Sequence, residues 1–376
     1  MTTTSLLRKV RYIPVLLLLI HSLNAGICNG QAAYTALKNK RWSVTLSPGF
    51  GFLIAHRPSI VYLQQRHTRY GEAGFFCQTE GSSSWHADYS YPRYGVVYRF
   101  IDPGNRSRLG MAHAVMARVI FPLSPGGNDH WQAHFSYGMG YVEKPFSTSE
   151  NYKNLAIGSG INGAISAGIS YKRRLLENTD ISAGADFMHF SNGSMRVPNL
   201  GANFSSIFMT LTRHFGPPTS IKAVQDPSAD RKREWSFYAA GAFKEIYPPE
   251  GRHYSVAAVN AAYHLPISRK GLLGGGADAI IDNSLPVKIR EENGSGGLMD
   301  GAFRFGIFAS AGLSMGHWTG LFQIGGYLYN RYPKEGFIYN RLGLRYAVGS
   351  HLFFCMNLKS HYAKADYIEW GAGYRF

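Results

Sequence analysis

The stretch that decides the fold is the last one, Asp366 to Phe376, which reads DYIEWGAGYRF. Successive side chains of a β-strand point to opposite faces, so alternate residues share a face. One face carries Ile368, Trp370, Ala372, Tyr374 and Phe376. The other face carries Tyr367, Glu369, Gly371, Gly373 and Arg375. An apolar, aromatic face opposite a polar or small one, with an aromatic C-terminus, is typical of a strand that crosses the bacterial outer membrane.

The composition of the whole chain agrees with this interpretation. Of the 376 residues, 14% are aromatic, 43 are Gly and only 16% are charged, while the mean hydropathy is −0.16. A helical membrane protein is thereby excluded, and many short alternating segments favour a barrel. Clusters of Gly, Pro, Asn and Ser bound about sixteen candidate strands, or about fourteen if a doubtful pair is merged. We therefore predict an all-β fold, a transmembrane antiparallel β-barrel of the bacterial outer membrane with about 14–16 strands.

The N-terminus is predicted to be a cleaved signal peptide, residues 1–32. Basic residues at Arg8, Lys9 and Arg11 precede an apolar stretch, Ile13 to Ile20, that is too short to span a bilayer. Small residues follow, as expected near a cleavage site. A lipoprotein anchor at Cys28 is the competing interpretation.

The remaining residues, 33–376, are expected to form a single barrel. Its first half is 33–216, a proline-bearing and charged linker is 217–234, and the second half, 235–376, completes the barrel. Two small barrels in series are the alternative. A single large one is favoured because it leaves fewer strand edges to protect.

The formal net charge of +16 suggests an anionic partner. In an exported barrel the phosphates of lipopolysaccharide fit that description, although solubilising charge in loops would explain it as well. No nucleic-acid-binding motif is present, so a nucleic-acid partner is not expected. Cys77 and Cys355 are candidates for a disulfide in an oxidising compartment, and the oligomeric state is left open.

A second stretch, residues 186–193 (DFMHFSNG), carries the candidate chemistry. His189 and Ser191 fall on the same face as Phe187, at the end of a predicted strand. Their Cα atoms would be about 6–7 Å apart, close enough for the imidazole to act as base towards the hydroxyl. Asn192 and Gly193 would then supply oxyanion-hole donors. The histidines and cysteines show no metal-ligand spacing, so no metal is expected.

The order of short and long connections predicts where this pair lies. If both termini are periplasmic, the strand that precedes the long loop after Ser191 runs outward. His189 and Ser191 are therefore expected near the external rim of the barrel, where the outer leaflet presents lipid A.

The stretch from His189 to Asn203 resembles the active-site segment of the outer-membrane lipid A 3-O-deacylases of the PagL type. It is most similar to the longer Bacteroidetes relatives called acyloxyacyl hydrolases. Trp85 with Tyr91 to Gly95, the segment Asn151 to Asn162, and His361 to Gly371 also resemble stretches of those proteins. The resemblance extends from Trp42 to Phe215, and beyond Phe215 it lies mainly in the stretch from His361 to Gly371.

The resemblance implies a carboxylic ester hydrolase that releases a 3-hydroxy fatty acid from lipid A without a metal or organic cofactor. Ser191 would be the nucleophile and His189 the base. The position of the family's orienting Glu is occupied by Asn203, which can hold an imidazole but cannot offset its positive charge. Asp186 and Glu369 are the candidates for a substitute acid.

Two other functions stay open on the sequence. One is a non-catalytic barrel, either porin-like or lipid-binding. The other is a phospholipase or acyltransferase of the outer membrane, which would use the same nucleophile on a different lipid.

Overall fold

Sixteen antiparallel strands close into two separate barrels in the computed structural model, which describes residues 40–124, 129–217, 233–293, 301–362 and 364–376. The first barrel consists of β1 (Trp42–Ile54), β2 (Thr68–Gln78), β3 (Arg93–Asp102), β4 (Ala112–Pro122), β5 (His130–Val142), β6 (Ile161–Leu176), β7 (Thr179–Ser191) and β8 (Ala202–Phe215). The second consists of β9 (Glu234–Glu245), β10 (His253–Pro266), β11 (Gly271–Asp282), β12 (Phe303–Met315), β13 (Trp318–Asn330), β14 (Ile338–Val348), β15 (Leu352–His361) and β16 (Lys364–Arg375).

Among the described residues, helical structure is confined to the connections. It comprises α1 (Ser84–Asp88), α2 (Leu285–Asn293) and two 3-10 segments, Pro58–Leu63 and Pro333–Glu335. No helix in the described ranges is both long enough and apolar enough to cross a membrane.

The predicted all-β fold and the predicted strands are confirmed, but the expectation of one large barrel over 33–376 is wrong. β1 pairs with β8, and β16 pairs with β9, so each set of eight strands seals on itself. Side-chain alternation and turn residues act locally and define strands, whereas the pairing of a first strand with a last one is set by distant contacts. The predicted signal peptide, 1–32, and most of the predicted linker, 217–234, lie outside the described residues.

The two faces of each strand differ as a lipid environment requires. Large apolar side chains point outward and are exposed, among them Phe187 in the first barrel (44% exposed) and Trp370 in the second (52% exposed). Alternate residues point inward and are buried, including Asp186 and Glu369. Each barrel pairs its first strand with its last, so the paired backbone groups of the wall need no water. The predicted faces of β16 are therefore confirmed.

Ion pairs fill the lumen of the first barrel. Glu72 accepts hydrogen bonds from Arg99 Nε at 2.8 Å and from Arg118 Nη1 at 2.5 Å. Arg99 Nη2 also lies 2.6 Å from Asp186 Oδ2. Burying one of these charges alone would be costly, so each is stable only beside its partners.

The lumen of the second barrel is filled in the same way. Arg341 contacts Asp278 at 2.9 Å and Glu369 at 2.9 Å, and all three side chains are almost fully buried. One cavity among the described residues of each barrel has a volume of about 20 Å³, roughly the space of a single water. These packed interiors do not support the porin-like alternative.

Replacing Arg99 by Met is expected to lower the free energy of unfolding by about 3–5 kcal/mol, because Asp186 loses its cation inside the barrel. Denaturant titration in detergent micelles, together with the shift of folded and heated protein on gels, would measure the loss. Arg106→Met is the matched control, since the Arg106–Asp102 pair is on the surface. Equal stability of the two variants would contradict this account of the lumen.

The two cysteines cannot form the disulfide considered from the sequence. Cys77 lies in β2 and Cys355 in β15, and both are free and buried in different barrels.

An apolar cluster closes the first barrel at the end where β7 finishes. Its members include Leu53, Ile60, Ile157, Phe190 and Phe204, all nearly inaccessible. The loop after β7, residues 192–201, is called here the site loop. It is tied to the loop after β5, because Leu200 N donates to Leu155 O at 3.2 Å and Gly201 N donates to Ala156 O at 2.9 Å.

Candidate active site

His189 and Ser191 lie at the end of β7, on its outward face. Along this strand Phe187 is exposed, whereas Met188 and Phe190 are buried, and His189 and Ser191 are both half-buried. The alternation predicted for the strand is therefore observed. It places the imidazole and the hydroxyl at the end of an apolar, outward-facing stripe.

Asn203 lies directly opposite His189 in the pairing of β7 with β8. The distance from His189 Nδ1 to Asn203 Oδ1 is 2.5 Å. An amide oxygen can only accept, so Nδ1 carries the proton and Nε2 presents its lone pair. Asn203 thus selects the tautomer in which the free nitrogen of His189 can act as a base.

His56, which follows β1, fixes the orientation of the Asn203 amide. Asn203 Nδ2 donates to His56 Nδ1 at 2.9 Å, and His56 Nε2 donates to the carbonyl oxygen of Leu200 at 3.0 Å. With its NH₂ group directed at His56, Asn203 must turn its oxygen towards His189. The three side chains form one hydrogen-bonded row.

Two donors surround the hydroxyl of Ser191. Asn199 Nδ2 donates to Ser191 Oγ at 2.8 Å, and the backbone N–H of Gly193 donates to it at 3.2 Å. Within the described residues no hydrogen bond joins Ser191 to His189. Catalytic hydrogen bonds are often absent before substrate binds, and rotation about one side-chain bond reorients Oγ.

The structure gives Asn192 a role different from the expected one. Its side chain is buried, with Nδ2 donating to Ser159 Oγ at 2.9 Å and Oδ1 accepting from Arg196 N. Its backbone N–H donates to Asn199 Oδ1 at 3.2 Å. Both donors are therefore engaged in holding the site loop, and the amide that reaches Ser191 belongs to Asn199.

Neither candidate for a substitute acid lies at this site. The carboxylate of Asp186 is bound by Arg99 and by Ser206 Oγ inside the first barrel. The carboxylate of Glu369 is inside the second barrel, where Arg341 and Asn357 bind it. Both expectations are wrong for the same reason: these residues fall on the inward face of their strands.

Gly201 is required where the site loop returns to β8. Its φ is +83°, a left-handed conformation that favours glycine. A Cβ atom at this position would lie 2.6 Å from His189 Cε1, well inside van der Waals contact. The absent side chain leaves the space that the imidazole occupies.

One group of side chains has the composition of a metal site but is already neutralised. Ligand atoms of Glu335, His361 and Asp366 lie within 4.8 Å of one another in the second barrel. Lys244 and Lys359 bind Asp366, and Arg304 binds Glu335. Because cationic side chains already balance these carboxylates, the group is a buried ion-pair network of the lumen.

Asn199 and His56 are the two site residues that were not predicted. Asn199 lies in the long loop after the Ser191 strand, and only that loop's length and its Pro198-Asn199 turn gave a signal. His56 comes next to Asn203 because Ile54 of β1 is the partner of Asn203 in β8. That pairing closes the barrel, and no local pattern reveals it.

Family matches cover most of the chain. The lipid A 3-O-deacylase (PagL) family matches residues 69–212, and the acyloxyacyl hydrolase C-terminal domain matches residues 233–376. No curated protein matches.

Solved structures similar to this chain include outer-membrane proteins. The outer membrane enzyme PagL is 16% identical with a TM-score of 0.31, covering 44% of this chain and 97% of that one. Neisserial surface protein A is 10% identical with a TM-score of 0.31, covering 46% of this chain and 97% of that one. A mutant porin of Rhodopseudomonas blastica is 11% identical with a TM-score of 0.20, covering 89% of this chain and 99% of that one.

The closed barrels and the two family matches define an outer-membrane β-barrel enzyme, a hydrolase of carboxylic esters. The chain belongs to the PagL-type lipid A 3-O-deacylase and acyloxyacyl hydrolase family, as its resemblance around His189 implied. Its place is the outer membrane and its activity is lipid A deacylation.

Proposed function

We propose that the chain removes an ester-linked 3-hydroxyacyl chain from lipid A with Ser191 as nucleophile and His189 as general base, at the external rim of the first barrel. One observation carries the proposal: Asn203 holds Nδ1 of His189 while Asn199 and Gly193 direct donors at Ser191 Oγ. Acyl transfer requires a base and a nucleophile with hydrogen-bond donors beside it. Here the base is His189 with its free Nε2, and the nucleophile is the Ser191 hydroxyl beside two N–H donors.

The first half of the reaction forms an acyl-enzyme. Ser191 Oγ attacks the ester carbonyl while Nε2 of His189 takes its proton. The carbonyl oxygen becomes an oxyanion and accepts hydrogen bonds from Asn199 Nδ2 and Gly193 N–H, which turn from Oγ to the substrate. His189 then gives its proton to the leaving sugar hydroxyl as the carbon–oxygen bond breaks.

Water completes the cycle. His189 removes a proton from a water molecule, whose oxygen attacks the carbonyl carbon of the acyl-serine. His189 then returns that proton to Ser191 Oγ as the bond between Oγ and the acyl carbon breaks, and the 3-hydroxy fatty acid leaves. Throughout, Asn203 holds the ring, and His56 keeps Asn203 in the accepting orientation. Asn203 carries no charge, so the imidazolium is stabilised less than by a carboxylate.

The surroundings of the site suit a lipid with an acidic head group. The outward stripe ending at His189 offers apolar surface to an acyl chain at the depth of the bilayer. Exposed guanidinium groups at the same end of the barrel, Arg57 and Arg196, are suited to bind phosphate. Periplasmic termini, with residues 1–32 as the export signal, would put this end outside the cell.

The test is mass spectrometry of lipid A from outer membranes of cells that express the protein. We expect the loss of one 3-hydroxyacyl chain relative to cells with an empty vector. Loss of an acyl chain from phospholipid with unchanged lipid A would transfer the activity to the phospholipase alternative. Unchanged lipids of both kinds would contradict the proposed reaction.

A further inference from the structure

A carboxylate of the second barrel holds the site loop of the first. Glu245, the last residue of β9, is 2% exposed. Its Oε2 accepts a hydrogen bond from the backbone N–H of Val197 at 2.7 Å. Its own N–H donates to the carbonyl oxygen of Ser194 at 2.9 Å. The last residue of one barrel's strand thus binds both ends of the Ser194–Val197 segment.

β16 contacts the same segment from the other side. Ser194 Oγ donates to the carbonyl oxygen of Ala365 at 2.9 Å. Gly193 packs against Ile368 so closely that a Cβ atom on it would lie 2.4 Å from Ile368 Cγ1. Gly193 and Ser194 both have positive φ, +61° and +63°. The second barrel therefore contacts the two residues whose positive φ angles direct the Gly193 N–H towards Ser191.

The energetics of Glu245 argue against a role in stability alone. Among the described residues its Oε1 has no hydrogen-bond partner, and no cationic side chain pairs with the carboxylate. A buried carboxylate in that condition is costly, and an amide would hold the same N–H without a buried charge. A charge-assisted hydrogen bond is, however, roughly twice as strong as a neutral one, which fixes Val197 more tightly.

We propose that the second barrel is part of the active site, with Glu245 as a positioning residue that fixes the site loop. Through Val197 and Ser194 it keeps the N–H of Gly193 and the side chain of Asn199 directed at the reacting carbonyl. The inference rests on the proposed function, because it assigns a purpose to those two donors. It gives the second barrel a task in catalysis beyond membrane anchoring.

The test compares Glu245→Ala and Glu245→Gln in the full-length protein, reconstituted in micelles with purified lipid A. Glu245→Ala is expected to lower kcat by about 10–100-fold with KM changed less than about twofold, because small misplacements of oxyanion donors are costly. Glu245→Gln can still accept from Val197 N–H and should recover part of the rate, because its neutral hydrogen bond is weaker than that of the carboxylate. Met356→Ala is the matched control, since Met356 contacts Tyr137 across the barrels away from the loop.

A second pair of variants tests the contact with β16. Gly193→Ala should lower kcat, because its Cβ would collide with Ile368, and adding Ile368→Ala should recover part of the lost rate. Recovery by a substitution in the other barrel has no explanation if the barrels are merely tethered.

The outcomes separate the inference from the proposed function. If Ser191→Ala abolishes hydrolysis while Glu245→Ala keeps the wild-type kcat, the positioning role is wrong and the nucleophile stands. Equal losses of kcat in Glu245→Ala and Met356→Ala would likewise overturn the positioning role. A general weakening of the contact between the two barrels would then explain both results. Full activity in Ser191→Ala would remove the proposed function itself.

Discussion

Ser191→Ala is expected to abolish lipid A deacylation, with a loss of about 10³-fold or more, while the barrel remains folded. Removal of a nucleophile in a serine hydrolase leaves only the catalysis that substrate binding and oxyanion donors provide. The substitution deletes one oxygen that accepts from Asn199 and Gly193, and no buried ion pair depends on it. Lipid A mass spectra from cells with wild-type and variant protein, at matched expression, measure the effect.

Two further variants separate a catalytic loss from a structural one. His189→Ala should reduce the rate by a comparable factor, and the double variant should be little worse than either single one, because the residues act as a unit. Ser159→Ala is the control for the loop, since Ser159 accepts from Asn192 without touching Ser191. Persistent deacylation by folded Ser191→Ala protein would refute the assignment of the nucleophile.

Substitutions of Asn203 are expected to change kcat strongly, lowering it or raising it according to the residue introduced. Asn203→Leu should lower kcat by about 10²-fold or more, because it removes the acceptor that holds Nδ1 of His189. Asn203→Glu should raise kcat by about 10-fold or more, because a carboxylate stabilises the imidazolium that forms in each step. Steady-state rates on purified lipid A in micelles would show both changes.

His56 gives the Asn203 series its internal control. His56→Phe removes the partner of the Asn203 amide, so the amide is free to turn and the wild-type rate should fall. In the Asn203→Glu background the same substitution should matter less, because both carboxylate oxygens can accept. A rate for Asn203→Glu below that of Asn203→Leu would show that this site has no use for a negative charge.

The strands and their faces could be predicted because they depend on neighbours in the sequence. The alternation of Trp370 with Glu369, and of Phe187 with Asp186, recurs every two residues and does not require knowledge of the partner strand. In the structure Trp370 and Phe187 are exposed, whereas their neighbours Glu369 and Asp186 are buried, as that period predicts. The same reasoning placed His189 and Ser191 on the outward face of β7.

The residues that complete the site depend on closure and were beyond such reasoning. His56 meets Asn203 only because β1 seals against β8, and Glu245 meets Val197 only because the second barrel lies beside the first. Asp186 and Glu369 were considered as acids because they are carboxylates, although their faces assign them to the lumens. The face of the strand thus keeps these two carboxylates away from the active site, whereas long-range pairing decides which residues complete it.

The double closure of the sixteen strands also has a consequence for the cell. A cylinder of sixteen strands is wide enough for a water-filled pore, whereas eight strands leave room only for side chains. By sealing twice, the described strands form two narrow cylinders that carry apolar side chains outside and ion pairs inside. We therefore expect the protein to add enzyme to the outer membrane without adding a water-filled pore.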